Sequence, residues 1–270
     1  MSRRALRVGR ISALNMYPIY HHLEGPAGRH LTFTDGLPTA LNNALLDGSL
    51  DLSAVSSITY ARHGDRLRLL PVASITAAGA VDSIQLFSNV PFEEVQTVAI
   101  TPHSASSVAL LRVLIGPDIR FSPLHGPASA ALTDVDAVLV IADEALRDLR
   151  AGFAAFSTDL GARWTDETGL PMVFAVWAVR TEVARGRASE VAAVADLLRE
   201  AREAYANDPA PVIAAAVARF GLPADEIERY FGRLSYGFGR AEVDGLSAFL
   251  ERARAAGELD VLPEIPRQAA

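Results

Sequence analysis

Three short stretches of this chain carry small hydroxyl or amide side chains where an apolar run gives way to a helical pattern. Ile11-Ser12-Ala13-Leu14-Asn15 follows the run Arg7 to Ile11, Ala54-Val55-Ser56-Ser57 follows Leu50 to Val55, and the stretch Thr101 to Ser107 follows Val98 to Ile100. Each has the pattern of a β-strand running into the first turn of a helix. Backbone N–H groups left unpaired there, with the positive end of the helix dipole, hold an anion without lysine or arginine. Three such junctions converging on one place would bind a small acid with more than one negative charge.

Each side chain also has an ordinary reading. Asn15 suits a helix cap as well as a ligand contact; its amide can orient an oxygen or bond a hydroxyl, but it is no strong base. Ser56 and Ser57 form a common kind of helix start, as do Ser104, Ser106 and Ser107. One charge at one helix N-terminus gains about 0.3–1 kcal/mol, up to about 2 when partly buried, so useful affinity needs several donors together. Arg10, inside the first strand, either grips a carboxylate with its two-pronged guanidinium or faces solvent. Asp143 and Glu144 follow a buried strand and either reach the cleft or stabilise the dipole of the helix they open. Tyr17 and Trp177 could pack against a ligand ring, although aromatic residues in apolar runs are mostly core.

Composition narrows the chemistry. Cysteine is absent and all 25 basic residues are arginine, which excludes a cysteine nucleophile, a disulfide framework, a thiolate metal site, a Schiff-base lysine and a Walker A loop. None of the 6 histidines falls in a metal-binding spacing, and only His103 lies in a candidate junction, so no metal and no cofactor are expected. A net charge of −7 argues against a nucleic-acid partner. The basic N-terminus runs into the strand pattern Val8 to Ile11, and no apolar stretch reaches the length of a membrane span. The expectation is a cytoplasmic protein with no membrane partner.

Positioning the junctions requires strands that alternate with helices. Strand patterns at Arg7 to Ile11, Leu31 to Thr34, Leu50 to Val55, Leu69 to Ile75 and Ser83 to Ser88 are separated by amphipathic stretches such as Pro38 to Asp47. A second series begins near Val90, with strands at Thr97 to Ile100, Ile119 to Ser122 and Ala137 to Ile141, and helices at Ala105 to Ile115 and Asp143 to Arg150. Such alternation predicts parallel α/β sheets. The apolar segment Met172 to Val179 is expected to return the chain towards the first sheet, followed by about four helices covering the first lobe. The pattern thus predicts residues 1–89 and 180–270 as one α/β lobe and 90–179 as another, with crossovers near 88–91 and 179–182. Ligands bind beyond the carboxyl ends of strands in open α/β sheets, which here means a cleft between the lobes.

The strings RVGRISALNMYP (7–18), LNNALLDGSLDLSAVSSITYAR (41–62), ITPHSASSVALLRVL (100–114), IADEAL (141–146) and TGLPMVFAVWAVR (168–180) together resemble the chorismate dehydratases of the futalosine route to menaquinone. The resemblance implies a two-lobed periplasmic-binding-protein type II fold and the conversion of chorismate to 3-[(1-carboxyvinyl)oxy]benzoate and water. It makes Asn15 the catalytic side chain and puts the serines at a carboxylate. Asp82-Ser83-Ile84 falls where the family has a Gly-Ser or similar pair before a strand, which implies a ligand contact at Ser83 and Ile84, although Asp82 replaces the usual small residue and a turn is the simpler reading. A sister family, the 1,4-dihydroxy-6-naphthoate synthases, shares the fold but carries a lysine and a histidine that have no counterpart here. A non-catalytic receptor for small carboxylates is the remaining alternative, because a binding fold does not fix function.

Overall fold

Val8, Leu52, Ala54 and Val55 are at most 1 % exposed, as befits neighbouring parallel strands covered by helices on both faces. In the computed structural model, which describes residues 5–101, 105–116 and 118–266, they lie in the first of two sheets. The chain runs β1 (Leu6–Ile11), a single 3-10 turn (Leu14–Met16), α1 (Tyr17–Leu23), β2 (Leu31–Gly36), α2 (Pro38–Leu46), β3 (Leu52–Ser56), α3 (Ser57–Arg62) and β4 (Leu67–Ala77). It then builds the second lobe from β5 (Ile84–Ser88), β6 (Thr97–Ile100), α4 (Ala105–Ile115), β7 (Arg120–Pro123), α5 (Ala128–Ala131), β8 (Ala137–Ile141), α6 (Ala142–Ala151), β9 (Phe156–Asp159) and α7 (Leu160–Thr168). β10 (Met172–Arg180) returns to the first lobe, and α8 (Thr181–Gly186), α9 (Ala188–Asn207), α10 (Ala210–Phe220), α11 (Ala224–Phe231) and α12 (Arg240–Ala255) complete the described chain.

The strand orders are β2-β1-β3-β10-β4 and β7-β6-β8-β5-β9. β10 is antiparallel to β3 and β4, and β5 is antiparallel to β8 and β9, while the other pairs are parallel. The crossover points therefore differ from expectation: β5 belongs to the second sheet, so the chain changes lobes before Ile84, and the segment expected to return towards the first sheet is itself a strand of it, β10, so the chain changes back before Met172. An apolar run shows that a strand is buried on both faces but not which sheet it joins. Here Ile84 pairs with Ile141 and Ala175 with Ser56.

Local chemistry pins these passages. Asp159 caps α7 through Ala162 N–H (3.0 Å) and also accepts from Val81 N–H (3.0 Å) and Asp82 N–H (2.7 Å), tying the outgoing crossover to the second lobe. Gly9 lets β1 approach β3, since a Cβ there would lie 2.4 Å from Ser53 Oγ. The edge strand β9 was invisible to the apolar pattern because Phe156 and Ser157 are exposed. Arg187 (φ −134°, ψ 37°) breaks the first predicted C-terminal helix in two, giving five helices after β10 among the described residues rather than about four. Among the described residues, no helix is long and apolar enough to cross a membrane.

Candidate active site in the interlobe cleft

The carboxyl ends of β1, β3 and β8 meet the amino ends of β5 and β10 in the cleft, as the pairings Ser56 with Ala175 and Ile84 with Ile141 require. A cavity of about 100 Å³ lies there, with Asn15, Ser56, Ser83, Ile84, Ser106 and Ser107 in its wall. It shares Ile11, Ala13, Pro38, Ile141 and Ala142 with an outer chamber of about 480 Å³ that opens past Leu37 and is also lined by Asp143 and Glu144. Larger hollows beside Glu258 (about 700 Å³) and between Arg66 and Arg180 (about 810 Å³) lie elsewhere on the surface and contain none of the junction residues.

Six of the nine predicted site residues thus share one cavity, two do not, and one lies outside the described residues. Arg10 is bound through two nitrogens to Asp35 (2.5 and 2.7 Å) and to Glu24 (3.0 Å), so its charge is spent on neighbouring acids rather than offered to the cleft. Ser57 is fully buried behind the wall, with its hydroxyl 2.9 Å from Ser106 Oγ. Ser104, with His103, lies outside the described residues. The aromatic candidates are structural: Trp177 packs against Tyr20 with ring centroids 5.5 Å apart, and Tyr17 packs edge-on against Phe220 at 5.4 Å.

In each of the two first-lobe junctions, an N–H group that the sequence pattern predicted to be open is paired. Leu14 N–H donates to Asp143 Oδ1 (3.3 Å), and Ile58 N–H donates to Ser106 Oγ (3.2 Å), so each first-lobe junction is met by an acceptor from the second lobe. Ser56 Oγ accepts from Thr59 N–H (3.3 Å) as the N-cap of α3. Backbone donors enclosed between packed elements must find partners, and the facing lobe supplies them. By contrast, Asn15 Oδ1 is buried with no hydrogen-bond partner among the described residues. Burial pushes the Asp143 carboxyl above the usual carboxylate range, against the opposing pull of the Leu14 N–H and the Arg147 charge. Next to it Ala142 adopts φ 55°, a left-handed conformation that costs a residue with a Cβ.

Residues 6–255 match the family model described as menaquinone biosynthesis. The chain belongs to that family. A relative named chorismate dehydratase, from Thermus thermophilus, is 33% identical over 255 residues, spanning 88% of this chain and 91% of the relative. Solved structures with the same fold include a protein of Archaeoglobus fulgidus (TM-score 0.74, 18% identity, 95% of this chain and 99% of that one). Another is the alkanesulfonate-binding protein SsuA of Xanthomonas axonopodis pv. citri bound to MOPS (TM-score 0.68, 19% identity, 97% and 96%). The two-lobed binding-protein architecture expected from the sequence is therefore present.

One wall residue of this member of the menaquinone-biosynthesis family escaped sequence reasoning. Phe174 lines the inner cavity and is 7% exposed. Between Val173 and Ala175 the register of β10 on β4 shifts, so Phe174 is the extra residue of a β-bulge. Bulges re-aim side chains beside sites, but nothing in the uninterrupted run Met172 to Val179 announces one.

Proposed function

We propose that this protein is a hydro-lyase of menaquinone biosynthesis that converts chorismate to 3-[(1-carboxyvinyl)oxy]benzoate and water. Family membership and the chorismate dehydratase relative support the reading. The observation that carries it is the buried, unpartnered Asn15 Oδ1 in a cavity walled by Ser56, Ser83, Ser106 and Ser107. Chorismate has two carboxylates and a single alcohol, at C4. Serine hydroxyls suit the carboxylates, and a lone acceptor suits the alcohol.

Loss of the C3 hydrogen and the C4 hydroxyl makes the ring aromatic, so much of the driving force lies in the product. With no lysine or cysteine in the chain, the base in this reading is the substrate's own enolpyruvyl carboxylate. It removes the C3 proton, and the electron pair spreads toward the ring carboxylate. The serines of both lobes, set around that carboxylate, stabilise the growing charge. Asn15 holds the C4 oxygen, and the protein contributes geometry and field.

The inner cavity, at about 100 Å³, is below the roughly 300–1,000 Å³ usual for ligand pockets. Substrate entry therefore requires the lobes to part and the outer chamber to contribute, as in other two-lobed binders.

Incubating the purified protein with chorismate and following loss of water by mass spectrometry tests the assignment. Unchanged chorismate that nonetheless binds would leave a carboxylate receptor. Asn15→Ala is expected to lower turnover by a factor of about a hundred, and full turnover would remove Asn15 from the mechanism.

A further inference from the structure

The route above leaves one proton unassigned. Hydroxide leaves C4 poorly unless it is protonated, and an amide such as Asn15 gives up no proton near neutral pH. The inner cavity has no carboxyl, imidazole or amine in its described wall, and the outer chamber adds three carboxyls: Asp35, Asp143 and Glu144. Asp35 is held below the usual carboxylate range by its bonds to the Arg10 guanidinium, so it stays ionised and lacks a proton to give. Asp143 alone of the three reaches across the cleft, to the N–H of the residue preceding Asn15.

Resting on the dehydratase reading, we infer that Asp143 is the general acid of this site: carried by the second lobe to 3.3 Å from Leu14 N–H, beside Asn15, it protonates the departing C4 hydroxyl. The second-lobe segment that presents it is strained, with Ala142 at φ 55° while its N–H donates to Ser83 O (2.7 Å). Strain of this kind persists where the surroundings enforce it, and it clusters at working sites. Around Asp143 stand the Leu14 N–H from the first lobe, Arg147 on its own helix, the buried phenol of Tyr230 from α11, and Glu144 and Asp35 along the outer chamber. Burial favours the protonated acid over the opposing Leu14 bond and Arg147 charge, and a dianion arriving beside it pushes in the same direction.

The enolpyruvyl carboxylate takes the C3 proton, the C3–H electron pair becomes the new C3–C4 π bond, and the C4–O bond breaks with its pair on oxygen. The Asp143 proton joins that oxygen to give water. The new carboxylate of Asp143 regains a proton from solvent, and the product's enolpyruvyl carboxyl releases the C3 proton to solvent.

The test measures kcat and KM for chorismate from pH 5 to 9 with the full-length protein, Asp143→Asn and Glu144→Gln. Asp143→Asn keeps an oxygen for Leu14 N–H but has no acidic proton. It is expected to lose about a hundredfold or more in kcat, with KM close to wild type because a neutral amide replaces a neutral acid. Wild-type kcat should fall as pH rises, a limb that Asp143→Asn lacks and Glu144→Gln keeps. A merely structural Asp143 would instead raise KM and lower the melting temperature. Turnover of Asp143→Asn within about threefold of wild type overturns the inference while leaving the dehydratase reading standing. A flat wild-type kcat profile does the same even if the variant does not fold. A wild-type protein that leaves chorismate unchanged refutes both.

Discussion

Ser106, on the second lobe, places its hydroxyl 2.9 Å from that of Ser57 on the first and accepts the Ile58 N–H at 3.2 Å. One side chain thus closes a helix start on the opposite lobe, and Asp143 does the same at Leu14. These bonds hold the halves together at the same junctions that were expected to hold a ligand.

Ser57 lies behind the cavity wall, so Ser57→Ala should weaken closure without removing a substrate contact. One hydrogen bond is worth about 1 kcal/mol, so KM for chorismate should rise about fivefold while kcat stays within about twofold. Ser106→Ala also strips the Ile58 N–H of its acceptor and the wall of a hydroxyl. Steady-state kinetics should show it losing more in kcat/KM than Ser57→Ala, and equal losses would contradict the division of roles.

Phe174 supplies the aromatic group in the inner wall. Contact between rings contributes about 0.5–1.5 kcal/mol beyond area burial. Wild type should therefore bind isophthalate about two- to tenfold more tightly than its ring-saturated counterpart. Phe174→Leu should bind the two alike by calorimetry, and an undiminished preference would assign Phe174 to the core alone.

Ala142 has φ 55°, where glycine is at ease and alanine is strained by roughly 1–2 kcal/mol. Glycine's extra freedom in the unfolded chain returns about 0.4–1 kcal/mol of that. Ala142→Gly should therefore raise stability by about 0.5–1 kcal/mol, a melting shift of about one to four degrees, and a lower melting temperature would refute the strain.

At the end of the first sheet away from the cleft, Asp51 accepts from Arg7 N–H (2.9 Å) and its guanidinium (2.6 Å), with Arg180 and Arg187 each 3.8 Å away. Burial pushes the Asp51 carboxyl up, but the Arg7 bonds and the arginine charges outweigh it and hold the group below the usual carboxylate range. A depressed folded pKa means stability that is present above the unfolded value of about 3.9 and lost as pH falls through the lower, folded value. Asp51→Asn should cost about 2 kcal/mol at neutral pH. Its denaturation midpoint should fall less than that of wild type on acidification below about pH 4, and parallel acid profiles would rule out the linkage.

Thr97–Ile100, Ala105–Ile115 and Ala137–Ile141 were legible as strand, helix and strand to the residue, because short apolar runs and helical spacing record which faces are buried. The wall positions of Asn15, Ser56, Ser106 and Ser107 were legible too, since they sit at a strand end or in the turn that follows one, where α/β sheets bind ligands. The edge strand Phe156–Asp159 and the bulge at Phe174 were not, because one lacks a buried face and the other leaves the apolar run unbroken.

By itself, then, the sequence determined the α/β alternation, the absence of thiol and lysine chemistry, and most of the polar groups around the cavity. Only the tertiary structure decided that β5 joins the second sheet, that Arg10 is neutralised by Asp35, and that Asp143 reaches the N–H of Leu14, the neighbour of Asn15. The physical reason is range. Periodicity reports burial a few residues at a time, whereas Leu14 and Asp143 are 129 positions apart and Ser57 and Ser106 are 49, and their partnership exists only once both lobes have folded and met.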